Sequence, residues 1–452
     1  MVPISLLVFS CVIISSSIVQ SSTDADQYSP YEGRQGRYEE GDNPYVFDRE
    51  RFRTISSSRA GEIKALPNFR QQSELFKGIE KYIITCIEMK PNSLLKPHCI
   101  DADWVLFVVE GSGHIAYVQQ ESNNLVQRRL EEGDVFVVPA GQLFYLINSG
   151  GRQVFRLANL LYNGATPGQY QPFYVAGVRN PESVFSALSR EVLEAAFNSK
   201  EGVEQMLSGK EEQNPGAIIQ LHPEELERIT GAQSRESMPA GHEQNPFNIL
   251  SHRPTFQNNY GKIIEVDERE HSQLGLLKVV VAATILESGS MLVPNYNTRA
   301  TKFGIVINGE GILEMACPHL AGGGGGRSYG GGGGGGQGQY EEGQQRDISY
   351  QKVRARLRPG IVFMVPRAHP YTTIASPGRP LLILCFEVTD HRNIRKFLTG
   401  KNNVLKELDK RVLGRSFGIH PEEMSRILES QKNEVIVRGP NQMGDNQGPM
   451  SF

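Results

Sequence analysis

The sequence predicts an all-β fold with helical extensions: two tandem antiparallel β-barrels, each followed by an α-helical segment. Three observations lead there. The chain has 452 residues, more than one ordinary hydrophobic core accommodates. Its two halves repeat each other. Each half alternates short β-branched and aromatic runs with Gly, Pro and Asn turns, then ends in a helical pattern.

The repeat is dense. "NPYVFDRERFRT" from Asn43 returns as "NPFNILSHRPTF" from Asn245, which pairs Tyr45 with Phe247, and "GEIKAL" from Gly61 returns as "GKIIEV" from Gly261. "LLKPHCIDADWVLFVVEGSG" from Leu94 returns as "MLVPNYNTRATKFGIVINGEG" from Met291, and "EEGDVFVVPAG" from Glu131 as "LRPGIVFMVPRA" from Leu357. "HPEELERI" from His222 recurs as "HPEEMSRI" from His420. Strand signals fall at residues 82–89, 104–109 and 135–138, and closing such strands into a barrel removes the exposed edges. Periodic apolar positions predict helices over 183–197 (Val184, Leu188, Val192, Ala196) and 393–413 (Ile394, Phe397, Leu398, Val404, Leu405). In each "HPEE", proline in the first turn and glutamates at the positive helix end mark a helix start rather than a catalytic carboxylate pair.

Boundaries follow from composition. Residues 1–22 read as a signal peptide, an apolar run over 4–14 with cleavage near Ser21 or Ser22, shorter than the ~20 residues that span a bilayer. Residues 23–42 form an acidic, tyrosine-dotted arm. The first barrel with its extension takes 43–235 and the second 236–437, interrupted by a glycine-rich, disordered loop at 321–345; residues 438–452 are a flexible tail. That loop lacks the Gly-Lys-Ser/Thr of a phosphate-binding loop and opens no helix.

A formal net charge of -3 and a sequence pI near 6.4 give no drive toward nucleic acid. No later segment is apolar enough to span a membrane once the signal is removed. Of five cysteines, Cys11 leaves with the signal; Cys86, Cys99, Cys317 and Cys385 are too few for a disulfide scaffold, and a Cys86–Cys99 bridge is left open.

The pairing of "VVEGSG" with "EEGDVFVVPAG", and of "INGEG" with "RPGIVFMVPRAHP", resembles the two motifs of the cupin (jelly-roll) barrels, occurring twice. With "NPYVFDRERF" before the first barrel, the helices after each and the secretory start, the chain is similar to vicilin-type (7S) seed storage globulins over roughly residues 43–430. The resemblance implies a nutrient reservoir that is not an enzyme, routed to a protein storage vacuole and assembled as a homotrimer whose neighbours cover the amphipathic helices.

Enzymatic cupins hold a metal with a His-x-His pair and a carboxylate from the first motif and a histidine from the second. The first barrel keeps only His98, with Ile100 in the second histidine's place and Gln142 at the second-motif position. The second barrel lacks the first-motif ligands but has His369 at the second-motif position. It also carries "GILEMACPHL", where strand alternation puts Leu313, Met315, Cys317 and His319 on one inward face. Aligned with the first barrel, Cys317 and His319 meet Gln119 and Glu121, so the soft ligand types gather in one barrel only. Thiolate plus two imidazoles favours copper or zinc over hard cations. Some vicilins carry such a copper site with a tyrosine from the N-terminal segment nearby, which the resemblance places at Tyr45. The alternatives are a metal-dependent cupin oxidoreductase, or a defence protein binding a small hydrophobic or carboxylate ligand inside a barrel.

Overall fold

Strand Gly311–Cys317 shows how the alternation becomes structure. Gly311, Leu313, Met315 and Cys317 are buried while Ile312, Glu314 and Ala316 are partly exposed, as a two-residue period on a sheet with one covered face requires. The computed structural model describes residues 43–69, 76, 78–208, 216–232, 244–318, 350–388 and 393–440. The signal peptide, the acidic arm, His319, the glycine-rich stretch 321–345 and residues 441–452 lie outside the described residues.

Each half is a pair of facing antiparallel sheets. In the first barrel one sheet holds Ser93–Ile100, Phe144–Asn148, Ser112–Val118 and Leu125–Glu131, and the other holds Asp134–Val138, Asp103–Glu110, Phe155–Tyr162 and Tyr82–Met89. The second barrel repeats this with Val362–Val365, Thr301–Asn308, Leu381–Val388 and Val279–Leu286 in one sheet, and Gln351–Leu357, Gly311–Cys317 and Tyr371–Ala375 in the other. The repeat reaches single residues. Gly111 and Gly309 both have φ +81°, and a Cβ on either would lie 2.2 or 2.1 Å from the carbonyl oxygen of Val154 or Pro380, so both turns require glycine.

The barrels exchange edge strands. Val46–Phe47 pairs with Val362–Val365 of the second barrel, while Phe247–Asn248 pairs with Asp134–Val138 of the first. Phe47 stands opposite Val362 and Phe247 opposite Val135, and Asp48 and Asn248 each cap the following 3-10 turn. The structural counterpart of Phe247 is therefore Phe47. The sequence pairing of Tyr45 with Phe247 is two residues out of register, because the Asn-Pro pair attracts the alignment whereas the cap and the pairing fix the chain.

Helices Arg190–Phe197, Lys200–Leu207 and Pro223–Ala232 follow the first barrel, and Lys410–Phe417 and Pro421–Ser430 the second. Both "HPEE" segments start helices, with Glu224, Glu225, Glu422 and Glu423 in the first turns. The expected helices over 183–197 and 393–413 begin late, at Arg190 and Lys410. Upstream of each lies a 3-10 turn, Val184–Ala187 and Val404–Glu407, ended by Leu188 and Leu408 in extended conformation. Residues 395–397 form a strand on Asn295–Asn297, and Gly400 at φ +92° sits where a Cβ would be 2.0 Å from Glu434 O, so no helix can run through it. Cys86, Cys99, Cys317 and Cys385 are all free thiols.

Candidate functional site

Three of the expected site residues meet at one end of the second barrel. Cys317 closes its strand fully buried, and Tyr45 is brought to it by the exchanged segment, whose Tyr45 carbonyl accepts from Met364 N at 2.8 Å. Tyr45 Oη lies 3.3 Å from Cys317 Sγ. His369 sits in the turn before Tyr371–Ala375, buried, its ring centroid 6.4 Å from that of Tyr45. His369 Nδ1 donates to Arg367 O at 3.0 Å; a carbonyl only accepts, so Nδ1 holds the proton and Nε2 the lone pair of the neutral ring. Burial lowers the His369 pKa and, aided by Cys317, raises that of the Tyr45 phenol, which keeps both uncharged at neutral pH. Among the described residues no three His, Cys, Asp or Glu side chains cluster; His319, the fourth expected member, lies outside them.

The first barrel fills the matching place with amides. Gln142, the counterpart of His369, donates through Nε2 to Gln244 Oε1 at 2.8 Å, and Tyr117 Oη donates to Gln244 O at 3.0 Å.

Deeper in each barrel the register shows what faces the first-motif positions. His98 pairs with Phe144, and Asn295 with Tyr371. The second-motif place opposite the first-motif residues thus belongs to Phe144 and Tyr371, and His369 stands two residues earlier, in the turn. His98 is buried between Phe144, with centroids 4.5 Å apart, and the stacked ring of Tyr174 at 4.9 Å, and its Nδ1 donates to Lys96 O at 2.8 Å. In the second barrel an ion cluster occupies the interior. Lys302 Nζ lies 2.9 Å from Glu387 Oε1, Arg395 pairs with the same carboxylate and, at 2.7 Å, with Glu265, and Lys302 stands 5.5 Å from the Tyr371 ring centroid. Sequence reasoning passed over this cluster, although Lys302 and Glu387 each place a charge in otherwise apolar strands.

Comparisons with known proteins agree with this architecture. A cupin family model matches residues 79–205 and 247–425. Vicilin Jug r 6.0101 of Juglans regia is 35% identical over 418 residues, covering 91% of this chain and 81% of its own. Vicilin Cor a 11.0101 of Corylus avellana is 33% identical over 446 residues, covering 95% and 93%. The structure of vicilin from Capsicum annuum aligns with a TM-score of 0.78 at 32% identity, covering 88% of this chain and 100% of the other. The chain belongs to the vicilin family.

Within this vicilin the chemistry is divided between the barrels. The Tyr45, Cys317 and His369 donor set is one a soft or borderline metal fits: a thiol, a neutral imidazole with its lone pair on Nε2, and a phenol. The backbone carbonyl that holds Nδ1 is the partner that fixes a ligating histidine's tautomer. The amide pair of Gln142 and Gln244 offers no such set.

Proposed function

We propose that this vicilin is a seed storage protein, carried through the secretory pathway to the storage vacuole. The observation that supports the reading best is how the barrel interiors are used. Where an enzymatic cupin keeps ligands and an open coordination position, the first barrel packs His98 between aromatic rings and the second neutralises Lys302, Arg395 and Glu387 against one another. The chain is read as no enzyme: Tyr45 and Cys317 are both fully buried, which suits holding an ion more than admitting a substrate. Bulk accumulation during seed development followed by loss at germination is the expected time course; low, constitutive abundance would count against storage.

We read the chain as a homotrimer. Leu188, Val192 and Phe197 on the first extension and Val412, Phe417 and Ile427 on the second are large, apolar and exposed. Two apolar patches at different places on one chain fit a head-to-tail ring, in which one extension meets the other on a neighbour. Sedimentation velocity should show trimers for the native protein and a shift to monomers for Val412→Asp with Phe417→Asp. A double variant that still sediments as a trimer would place the interface elsewhere.

The site at the end of the second barrel is proposed to hold copper, or zinc in its place. Cys317 and His369 would ligate the ion with His319, two residues beyond Cys317, and Tyr45 would stand beside the sulfur. A bound copper ion would supply a redox-active or structural centre. Protein purified without chelators should carry about one ion per chain, and Cys317→Ala with His369→Ala should lower the content about tenfold or more. Unchanged metal content in that variant removes the site.

A further inference from the structure

The first barrel encloses a small cavity, about 30 Å³, among Thr85, Leu95, His98, Trp104, Tyr170 and Tyr174. A single water centre needs ~10–15 Å³ of such space, so there is room for a hydroxyl with its first carbons. Trp104 and His98 are among the polar residues that line it, with Thr85, Tyr170 and Tyr174. Trp104 is 4% exposed, and its indole N–H is buried with no acceptor among the described residues. His98 donates through Nδ1 to Lys96 O, which leaves its Nε2 as an acceptor on the opposite edge of the ring. Both rings pack on Phe144. A buried N–H left without an acceptor is costly, and such groups are normally satisfied by a ligand or an ordered water.

We propose that this cavity binds a small neutral alcohol, its hydroxyl placed between Trp104 and His98 and its alkyl chain leading to the mouth at Ile55 and Pro172. One hydroxyl oxygen meets both needs, accepting from the indole and donating to the imidazole. A carboxylate does not, since it cannot donate to Nε2, and no Lys, Arg, Asp or Glu is among the residues lining the cavity. Burial supports the assignment by keeping His98 neutral, its pKa lowered to about 4. The mouth is apolar, with Ile55 53% exposed and Pro172 beside it. The second barrel differs, because its interior is held by Lys302, Glu387 and Arg395. A structure of the vicilin from Solanum melongena, 30% identical with a TM-score of 0.76, is described as holding different anionic ligands in structurally similar pockets; the lining of the first barrel here selects against anions. The inference stands apart from the storage and metal readings.

Trp104 is the only tryptophan of the chain, so intrinsic fluorescence reports on this cavity. Titrating the full-length protein at pH 7 with 1-hexanol should give a saturable change in emission that equimolar hexanoate neither reproduces nor reverses. His98→Phe should weaken the apparent affinity about tenfold. Ile55→Glu, at an exposed position the fold tolerates, should weaken it as well and serves if the His98 variant does not fold. A response that never saturates, displacement by hexanoate, or wild-type affinity in either folded variant would overturn the assignment.

Discussion

Glu387→Gln is expected to destabilise the protein by about 3–5 kcal/mol. The substitution keeps the shape and removes the charge that two cations share. Lys302 and Glu387 are 2% and 3% exposed and Arg395 is 9% exposed, so water cannot take over the lost interaction. Arg395 keeps Glu265, but Lys302 is left buried with an aromatic face and no carboxylate. Removing one partner of a buried pair leaves an uncompensated charge, whereas replacing the pair with apolar residues of similar volume is often close to neutral. Lys302→Met with Glu387→Met should therefore cost less than Glu387→Gln alone. Urea unfolding at fixed protein concentration checks both, since any self-association would contribute to apparent stability. A Glu387→Gln loss under about 1 kcal/mol would mean that the cluster rearranges around the amide. The pH dependence carries the matching sign. Burial pushes the Glu387 carboxyl up, but Arg395 and Lys302 more than reverse this and leave it below the usual range. Its contribution is present above the unfolded carboxylate range and is lost as pH falls toward the depressed folded value.

The second large effect belongs to His98. Burial lowers its pKa from 6.5 to about 4, and the hydrogen bond from Nδ1 to Lys96 offsets this only in part. The folded protein therefore resists a proton that the unfolded chain accepts below about pH 6.5. Stability is fully present above the unfolded value and falls as pH drops from 6.5 toward 4, by on the order of 3 kcal/mol from this group alone. Other groups titrate in the same window, so the measurement is a comparison: the stability of wild type minus that of His98→Phe should shrink by this amount between pH 7 and pH 4. Parallel curves would show that His98 gains its proton without loss of packing.

Much of the fold was legible because repetition supplies its own control. The glycine turns at Gly111 and Gly309 and the two "HPEE" helices are local features, set by residues close in sequence, and they appear where the pattern puts them. Features that depend on distant partners were less legible. The late start of the helix after 393 follows from the neighbours that Gly400 meets and from the pairing of residues 395–397 with Asn295–Asn297, neither of which apolar periodicity registers. Inward placement of Cys317 was readable from alternation along one strand. The approach of Tyr45 to Cys317 rests on a contact 272 residues apart, and only the family resemblance suggested it. Lys302 and Glu387 were overlooked because each alone reads as a solvated charge at a strand end; their pairing is visible only when the two strands lie side by side.

The exchanged edge strands have a consequence for how the chain is made. A ribosome releases residues 46–47 early, yet their partners at 362–365 emerge more than three hundred residues later. The first barrel likewise completes its sheet only when residues 247–248 of the following half are available. During synthesis the leading segment must wait unpaired, and closing so long a loop is slow compared with forming local hairpins. Neither half completes its own sheet: a chain cut between residues 235 and 236 would leave each fragment with an open sheet edge and a stray strand belonging to the other. Mixed together, such fragments should seek each other out, since each carries the piece that finishes its partner.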